Sequence, residues 1–296
     1  MQLCTEVLSC QNKPMNKALY AIILCALIAG NNGVLIKLMD TFSTGSIAFF
    51  RTMVPVLVLS PVLFSKSKPI FTGNYKRMLW ASAINVGRLY LYLMAFIYTS
   101  IGNAVVLIYS WPIFVFLIES NYYKRPLKRQ QVLLLLLAFL GMVITYANKS
   151  FSFENDDMVG MIAAVLSALG YAITVVMFKS ESDNYSQEQI IIFQNLVSSV
   201  FFLPFIFFLP ELQWSQVGIG IFYGLLIGLV VFKLFFYGLK YLSAATASGL
   251  MYLEIISAIA LGYFVLDENL GVNTAIGGLL ILTSSYLITR TNTKKE

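Results

Sequence analysis

The sequence predicts an all-α polytopic membrane protein, about ten transmembrane helices in two inverted five-helix repeats with both termini cytoplasmic. Three observations carry that expectation: an apolar composition, a regular succession of apolar stretches, and self-similarity at one fixed offset. Hydrophobic residues make up 58% of the 296 positions and charged residues 11%, against roughly 45–50% and 25% in soluble domains. An excess of that size does not fit inside one soluble core.

A helix needs about 20 mostly apolar residues to cross about 30 Å of hydrocarbon, and short polar breaks divide the chain into ten such stretches. The first, 17–38, closes at Lys37 and Asp40, and the second, 46–64, ends before Lys66 and Lys68. The third, 78–98, follows Lys76-Arg77; the fourth, 101–119, ends at Glu119. Lys124, Arg125, Lys128 and Arg129 precede the fifth, 130–147. Glu154, Asp156 and Asp157 precede the sixth, 158–179, which ends at Lys179. The seventh and eighth are 188–209 and 217–240, the latter closing at Lys240; 244–265 and 272–289 complete the set, with Arg290 at the end. What remains suffices only for loops. A β-barrel would alternate apolar and polar residues in ten-residue segments, which runs such as Val132 to Leu140 do not.

The net charge of +6 raises the question of a nucleic-acid partner, and the placement of the basic residues answers it. With the N-terminus inside, fifteen basic residues fall in cytoplasmic segments, from Lys13 and Lys17 to Lys294 and Lys295. Opposite them stands Lys149 alone, and four more lie within spans. Such a bias orients membrane proteins, so both termini are expected in the cytoplasm and no nucleic-acid partner is expected. Residues 1–16 show no hydrophobic run followed by a small-residue cleavage site, so no cleaved signal is expected. Cys4, Cys10 and Cys25 lack metal-ligand spacing, and the chain has no histidine. Neither a zinc site nor an imidazole relay is therefore expected.

Sliding the chain along itself gives one productive offset, 143 residues, which brings Tyr98 to Tyr109 onto Tyr241 to Tyr252 with Tyr, Ser, Ala, Leu and Tyr coinciding. The same shift sets Phe50-Arg51 over Phe193-Gln194, Leu127 over Leu270, and Leu136-Leu137 over Leu279-Leu280. The repeats are therefore read as 17–147 and 158–290. Each holds five spans, an odd number, so the second enters the membrane from the opposite face. Inverted halves provide two exchangeable conformations around a midplane site, which favours transport.

Ile47-Ala-Phe-Phe-Arg51 and Ala104-Val-Val-Leu-Ile-Tyr-Ser-Trp-Pro112 resemble EamA-type members of the drug/metabolite transporter superfamily. Ala244 to Glu254 and Gly262 to Glu268 resemble the family's ninth helix and its terminal signature, so the likeness covers roughly 18–290. Two departures stand out: Lys124-Arg125 where the first repeat normally ends in glutamate, and Glu254-Ile255 where many members have proline. Tyr252 to Ile259 is also similar to S-adenosylmethionine uptake carriers of this superfamily. The resemblance implies a ten-helix carrier.

Ionisable groups deep in a span are costly and mark function by default. Arg88 and Glu254 stand midway along the third and ninth spans. They are expected either to line a central cavity or to form a structural ion pair between the halves. Asn85, Arg88 and Tyr92 share one helical face by their three-then-four spacing. Lys233 and Tyr237, and Gln194 and Ser198, would extend the polar lining, with snorkelling the alternative for Lys233. Asn31 and Asn32 interrupt the first span after Gly30, where loosened backbone would meet substrate; Lys37 reads as an interfacial anchor. Tyr109 and Tyr252 are central and repeat-related, and Trp111 is a further stacking candidate. Arg51 lies near enough to the outer end to reach headgroups or a neighbouring helix end, and the resemblance gives it weight. Glu119 and Glu268 read as loop or helix-terminus groups, and Gly102, Ala104, Ala247 and Gly249 as close-packing positions.

No phosphate loop, metal cluster or nucleophile motif is visible, so neither a cofactor nor enzymatic activity is expected. The expectation is a secondary carrier, monomer or homodimer in the cell inner membrane, coupled to a proton or to exchange. Its midplane cavity would be lined by the third, fourth, eighth and ninth helices. Lys37, Arg51, Arg88 and Lys233 outnumber Glu254 inside the spans, which favours small solutes bearing carboxylate, such as amino acids. A cationic nucleoside-like solute such as S-adenosylmethionine is the alternative, and a membrane enzyme or scaffold the alternative of another class.

Overall fold

A computed structural model describes residues 2–63, 71, 73–99, 101–124, 128–147, 155–208, 214–266 and 271–293. Lys66, Lys68, Arg125, Leu127, Lys149, Glu154, Glu268, Leu270, Lys294 and Lys295 lie outside the described residues, as do the side chains of Cys4, Cys10, Lys13 and Asp156. Ten described helices are long and apolar enough to span a membrane: α1 (Met15–Leu38), α2 (Thr44–Pro61), α3 (Tyr75–Tyr98), α4 (Asn103–Tyr122), α5 (Arg129–Tyr146), α6 (Asp157–Ser180), α7 (Gln187–Phe207), α8 (Trp214–Tyr241), α9 (Ala244–Val265) and α10 (Val272–Arg290). There is no strand among the described residues.

The packing follows a two-fold pattern. Three helices meet their own repeat counterparts, α2 against α7, α4 against α9 and α5 against α10, while α3 on α6 is matched by α8 on α1. That is what a pseudo-two-fold axis in the membrane plane requires. The α5–α10 pair stands at the periphery, where Gly141 and Gly277 let the two backbones touch and Leu133, Leu136, Leu140, Leu279 and Tyr286 point outward.

Helix ends are set locally. The Asn74 side chain accepts from the Arg77 N–H at 3.1 Å at the start of α3. Ser186 and Gln189 form a reciprocal capping box ahead of α7, which satisfies two otherwise orphaned backbone donors.

Three spans are broken in mid-membrane. α1 is interrupted at Gly30-Asn31, α4 at Tyr109-Ser110 and α9 at Met251-Tyr252. The α4 break has a covalent cause: Pro112 has no N–H, and Ile113 N–H turns to the Ser110 carbonyl at 2.9 Å, so the Tyr109 carbonyl loses its helical donor. In α1, a side chain at Gly30 would collide with Ser257 of α9. The Ser257 hydroxyl satisfies a carbonyl near that break by donating to Leu27 O at 2.6 Å.

α8 widens into a π-helix over Gly224–Val231 where it crosses α2. Gly220, Gly224 and Gly228 recur every four residues on one face. A Cβ at Gly224 would stand 2.5 Å from the Phe50 carbonyl oxygen, and one at Gly228 would strike the Arg51 carbonyl oxygen. This bare stripe brings α2, and with it Arg51, close to the axis.

Candidate functional site

An inner cavity of about 120 Å³ sits on the pseudo-two-fold axis. Its walls include five pairs of residues that stand one repeat apart in sequence: Cys25 and Ala168, Arg88 and Val231, Tyr92 and Phe235, Ile108 and Met251, Trp111 and Glu254. A larger and mostly apolar chamber of about 390 Å³ adjoins it and shares Ala29, Asn32, Arg51, Tyr92, Ile108, Tyr109 and Glu254. Most of the remaining walls of that chamber, among them Ile36, Thr44, Ile47, Leu93, Phe96 and Val105, come from the ends of α1–α4 away from the chain termini, and Tyr223 of α8 and Ala258 of α9 complete them. The cavity therefore widens toward the face opposite the termini.

Two cations and one carboxylate face this space. Arg88, 8% exposed, is aimed by what lies behind it. Its Nε donates to Asn85 Oδ1 at 2.9 Å, and Asn85 Nδ2 in turn donates to the Gln194 carbonyl at 2.9 Å and to Ser198 Oγ at 3.3 Å. The guanidinium lies over the Tyr171 ring, 4.2 Å from its centre. That face-on approach adds cation–π attraction, and Arg88 forms part of the cavity wall. Gly170 lets α6 come this close, since a Cβ there would stand 3.0 Å from Arg88 Cβ.

Arg51 stands 5.7 Å from the centre of the Phe232 ring and hydrogen-bonds to the Tyr223 hydroxyl. That hydroxyl donates to Asn32 Oδ1 at 2.7 Å, so the interrupted end of α1 is tied to the α2 cation through α8. Glu254 occupies the first turn of Leu253–Leu266, the second half of α9, where the helix dipole favours a carboxylate. The Tyr109 hydroxyl is its hydrogen-bond partner.

Arg51, Arg88 and Glu254 do not neutralise one another. The ion pairs within 4 Å among the described residues are Arg77–Glu181 and Lys233–Glu188. Arg88 and Glu254 thus face a common space unpaired, an arrangement that leaves both free for a solute carrying complementary groups.

Of the residues singled out from sequence, Arg88, Glu254, Tyr92, Tyr109, Asn32 and Trp111 meet at the cavity wall. Asn85 and Gln194 lie in the α3–α7 seam, one layer behind Arg88. Tyr252 is fully buried and donates to the Tyr109 carbonyl at 2.9 Å. Lys233 points away from the axis, its side chain 52% exposed, and pairs with Glu188 at 3.0 Å. α1, α2 and α6 join α3, α4, α8 and α9 in the lining.

Sequence reasoning did not single out Tyr171, Tyr223 or Cys25 for the cavity. In a chain with 17 tyrosines nothing marks the first two, whereas the Gly220-Gly224-Gly228 spacing was a readable sign that α2 and α8 approach closely.

The terminus face is closed by contacts between the halves. Glu119, 6% exposed, accepts from the N–H groups of Ala244 at 2.8 Å and Ala245 at 2.6 Å, capping the start of α9. It is a helix-terminus group, though of another helix and away from water. Arg77 binds Glu181 at 3.1 Å and Ser180 at 3.0 Å. Within the second half, Lys179 Nζ donates to the Leu239 and Lys240 carbonyls at 2.5 and 3.0 Å, where cations suit a helix C-terminus.

Residues 16–147 and 158–290 each match the EamA-like transporter family. An uncharacterized transporter of Archaeoglobus fulgidus is 27% identical over 274 residues, covering 91% of this chain and 95% of that one. The uncharacterized transporter YxxF of Bacillus subtilis is 28% identical over 241 residues, 73% of this chain and 76% of its own. A solved crystal structure superposes with a TM-score of 0.80 at 14% identity, covering 96% of this chain and 99% of the other, and so shares the fold.

Proposed function

From the premise that this chain belongs to the EamA-like transporter family, we propose that it is a secondary carrier for a small organic metabolite bearing a carboxylate, an amino acid or a relative of one. It is a multi-pass membrane transporter by family and by its ten apolar helices; the substrate class and the mechanism are the proposal. The carrying observation is the on-axis cavity where two guanidinium groups and one carboxylate stand unpaired. Two cations against one anion favour a carboxylate over a cationic solute, and Glu254 provides a place for an ammonium group beside it. Placement on the axis supports alternating access, because the same walls then serve whichever face is open.

The same reading sets the protein in the cell inner membrane with both termini in the cytoplasm, on the strength of the basic residues gathered on one side. Reporter fusions at each terminus check that orientation. The decisive test is reconstitution of the protein and its Arg88→Ala and Glu254→Ala variants in liposomes. Uptake of a labelled panel of amino acids, other carboxylates and cationic nucleosides is measured with and without a pH gradient. Saturable uptake of a carboxylate-bearing solute that is lost in Arg88→Ala supports the assignment. Uptake unchanged in both variants removes it. Flux that needs the gradient and Glu254 together indicates proton coupling.

A further inference from the structure

The bond from the Tyr252 hydroxyl to the Tyr109 carbonyl joins residues 143 positions apart, the offset of the internal repeat. Two equivalent residues therefore hold unequal roles. Tyr252 is fully buried and binds the carbonyl freed at the α4 break. Tyr109 lines both chambers and gives its hydroxyl to Glu254. The rings stand 6.5 Å apart between centres, so the two tyrosines are direct neighbours. An inverted repeat reaches its second conformation by exchanging the local geometries of the two halves, and what is asymmetric here must then be reversed.

We propose that Tyr109 and Tyr252 are paired positioning residues that exchange roles between the two open states, so that the Tyr109 hydroxyl leaves Glu254 for the Tyr252 carbonyl when the cavity opens to the terminus face. This rests on the transport reading above. The Tyr252 carbonyl already accepts from Ile255 N–H at 3.1 Å, and its second lone pair remains for the incoming hydroxyl. The Tyr109 carbonyl has no such backbone donor, because Pro112 stands where the second half has Ile255. The face-opposite-open state therefore satisfies a carbonyl that the other state leaves bare. In each state one tyrosine closes the helix break and the other serves the cavity. Glu254 is partnered by tyrosine in the present state and released to substrate in the other.

The test uses two repeat-equivalent reporters in a background lacking the native cysteines, Cys4, Cys10 and Cys25 being replaced by serine. Val105→Cys lies in the wide chamber; Ser248→Cys, its counterpart, is 0% exposed in this state and becomes reachable when the terminus face opens. Labelling by a membrane-impermeant maleimide is followed in oriented vesicles without any substrate. Tyr252→Phe removes a bond of the present state. It should raise Ser248→Cys labelling and lower Val105→Cys labelling, shifting the ratio of the two by about fivefold for a bond of about 1 kcal/mol. Tyr109→Phe is made in a Glu254→Ala background, where the Tyr109 hydroxyl has no carboxylate partner in the present state; there it removes only the bond of the opposite state and should lower the ratio of Ser248→Cys to Val105→Cys labelling by a similar factor. The double variant should return toward the parent.

Opposite signs from two substitutions that each delete one oxygen are not produced by general loosening. Shifts of the same sign, or changes under twofold in both, overturn the proposal. Because no solute enters the assay, its failure leaves the liposome result standing. A sign reversal in a protein without flux would refute the transport reading and not the exchange.

Discussion

Replacing Glu119 by alanine deletes the only side-chain acceptor described for two N–H groups at the start of α9. Ala244 is 0% exposed, so its N–H would be left without water, and a buried orphan of this kind costs about 1–3 kcal/mol. Ala245 is partly exposed and recovers part of its loss by hydration. Taking about 2 kcal/mol for the first and about 1 kcal/mol for the second, Glu119→Ala should lose about 3 kcal/mol, near a hundredfold in the folding equilibrium. Glu119→Gln keeps one acceptor oxygen but gives up the charge, and should lose roughly half as much. Ser243→Ala, which removes the cap that accepts from Thr246 N–H at 3.1 Å, supplies a scale of about 1 kcal/mol. Equilibrium unfolding in mixed micelles, followed by the fluorescence of the three tryptophans, measures all of them. If Glu119→Ala unfolds within about 0.5 kcal/mol of the parent, roughly the noise of surface substitutions, the account of Glu119 as the tie between the two halves is wrong.

Three further outcomes follow from the geometry. Asn85→Asp preserves shape but sets a carboxylate on Arg88 Nε, 2.9 Å from the present amide oxygen; uptake of a carboxylate solute should fall about tenfold or more while the protein stays folded, and unchanged uptake would show that Arg88 is not the anion site. Gly228→Ala forces a methyl group against the Arg51 carbonyl and, at 2.6 Å, the Pro55 ring, and should cost about 1–3 kcal/mol by overpacking; Gly218→Ala, with nothing near its Cβ, should be close to neutral in the same unfolding assay. Lys233→Met removes an outward-facing ion pair with Glu188 worth about 1 kcal/mol or less, and should leave the substrate's half-saturation concentration within twofold in liposome uptake.

The spans were legible because each is a local property: about 20 apolar residues between polar breaks suffice to place α1 through α10. The interruption of α1 after Gly30 was legible too, from the asparagines that follow. Arg88 and Glu254 could be picked out because a charge in mid-span is conspicuous in a chain with 11% charged residues. Lys233 satisfied the same rule, yet its partner lies on the outer surface. Periodicity relates residues on one helix to each other; it does not say which neighbour that face meets. The same limit explains Asn85, which shares a helical face with Arg88 and Tyr92 and nevertheless turns into the α7 backbone.

By itself the sequence determined the class, the number of spans, the repeat offset and the identity of the mid-membrane charges. Each of these follows from composition or from matching residues along one chain. It also held, unread, the reason for the α4 break, since Pro112 removes an N–H wherever it stands. Only the tertiary structure decided that Arg88 and Glu254 face a cavity unpaired, that Arg51 joins them, and that the Tyr109 carbonyl is satisfied by Tyr252. Those facts depend on distances between segments well over a hundred residues apart in sequence, fixed by bare glycine faces and by helix crossings that involve both halves at once.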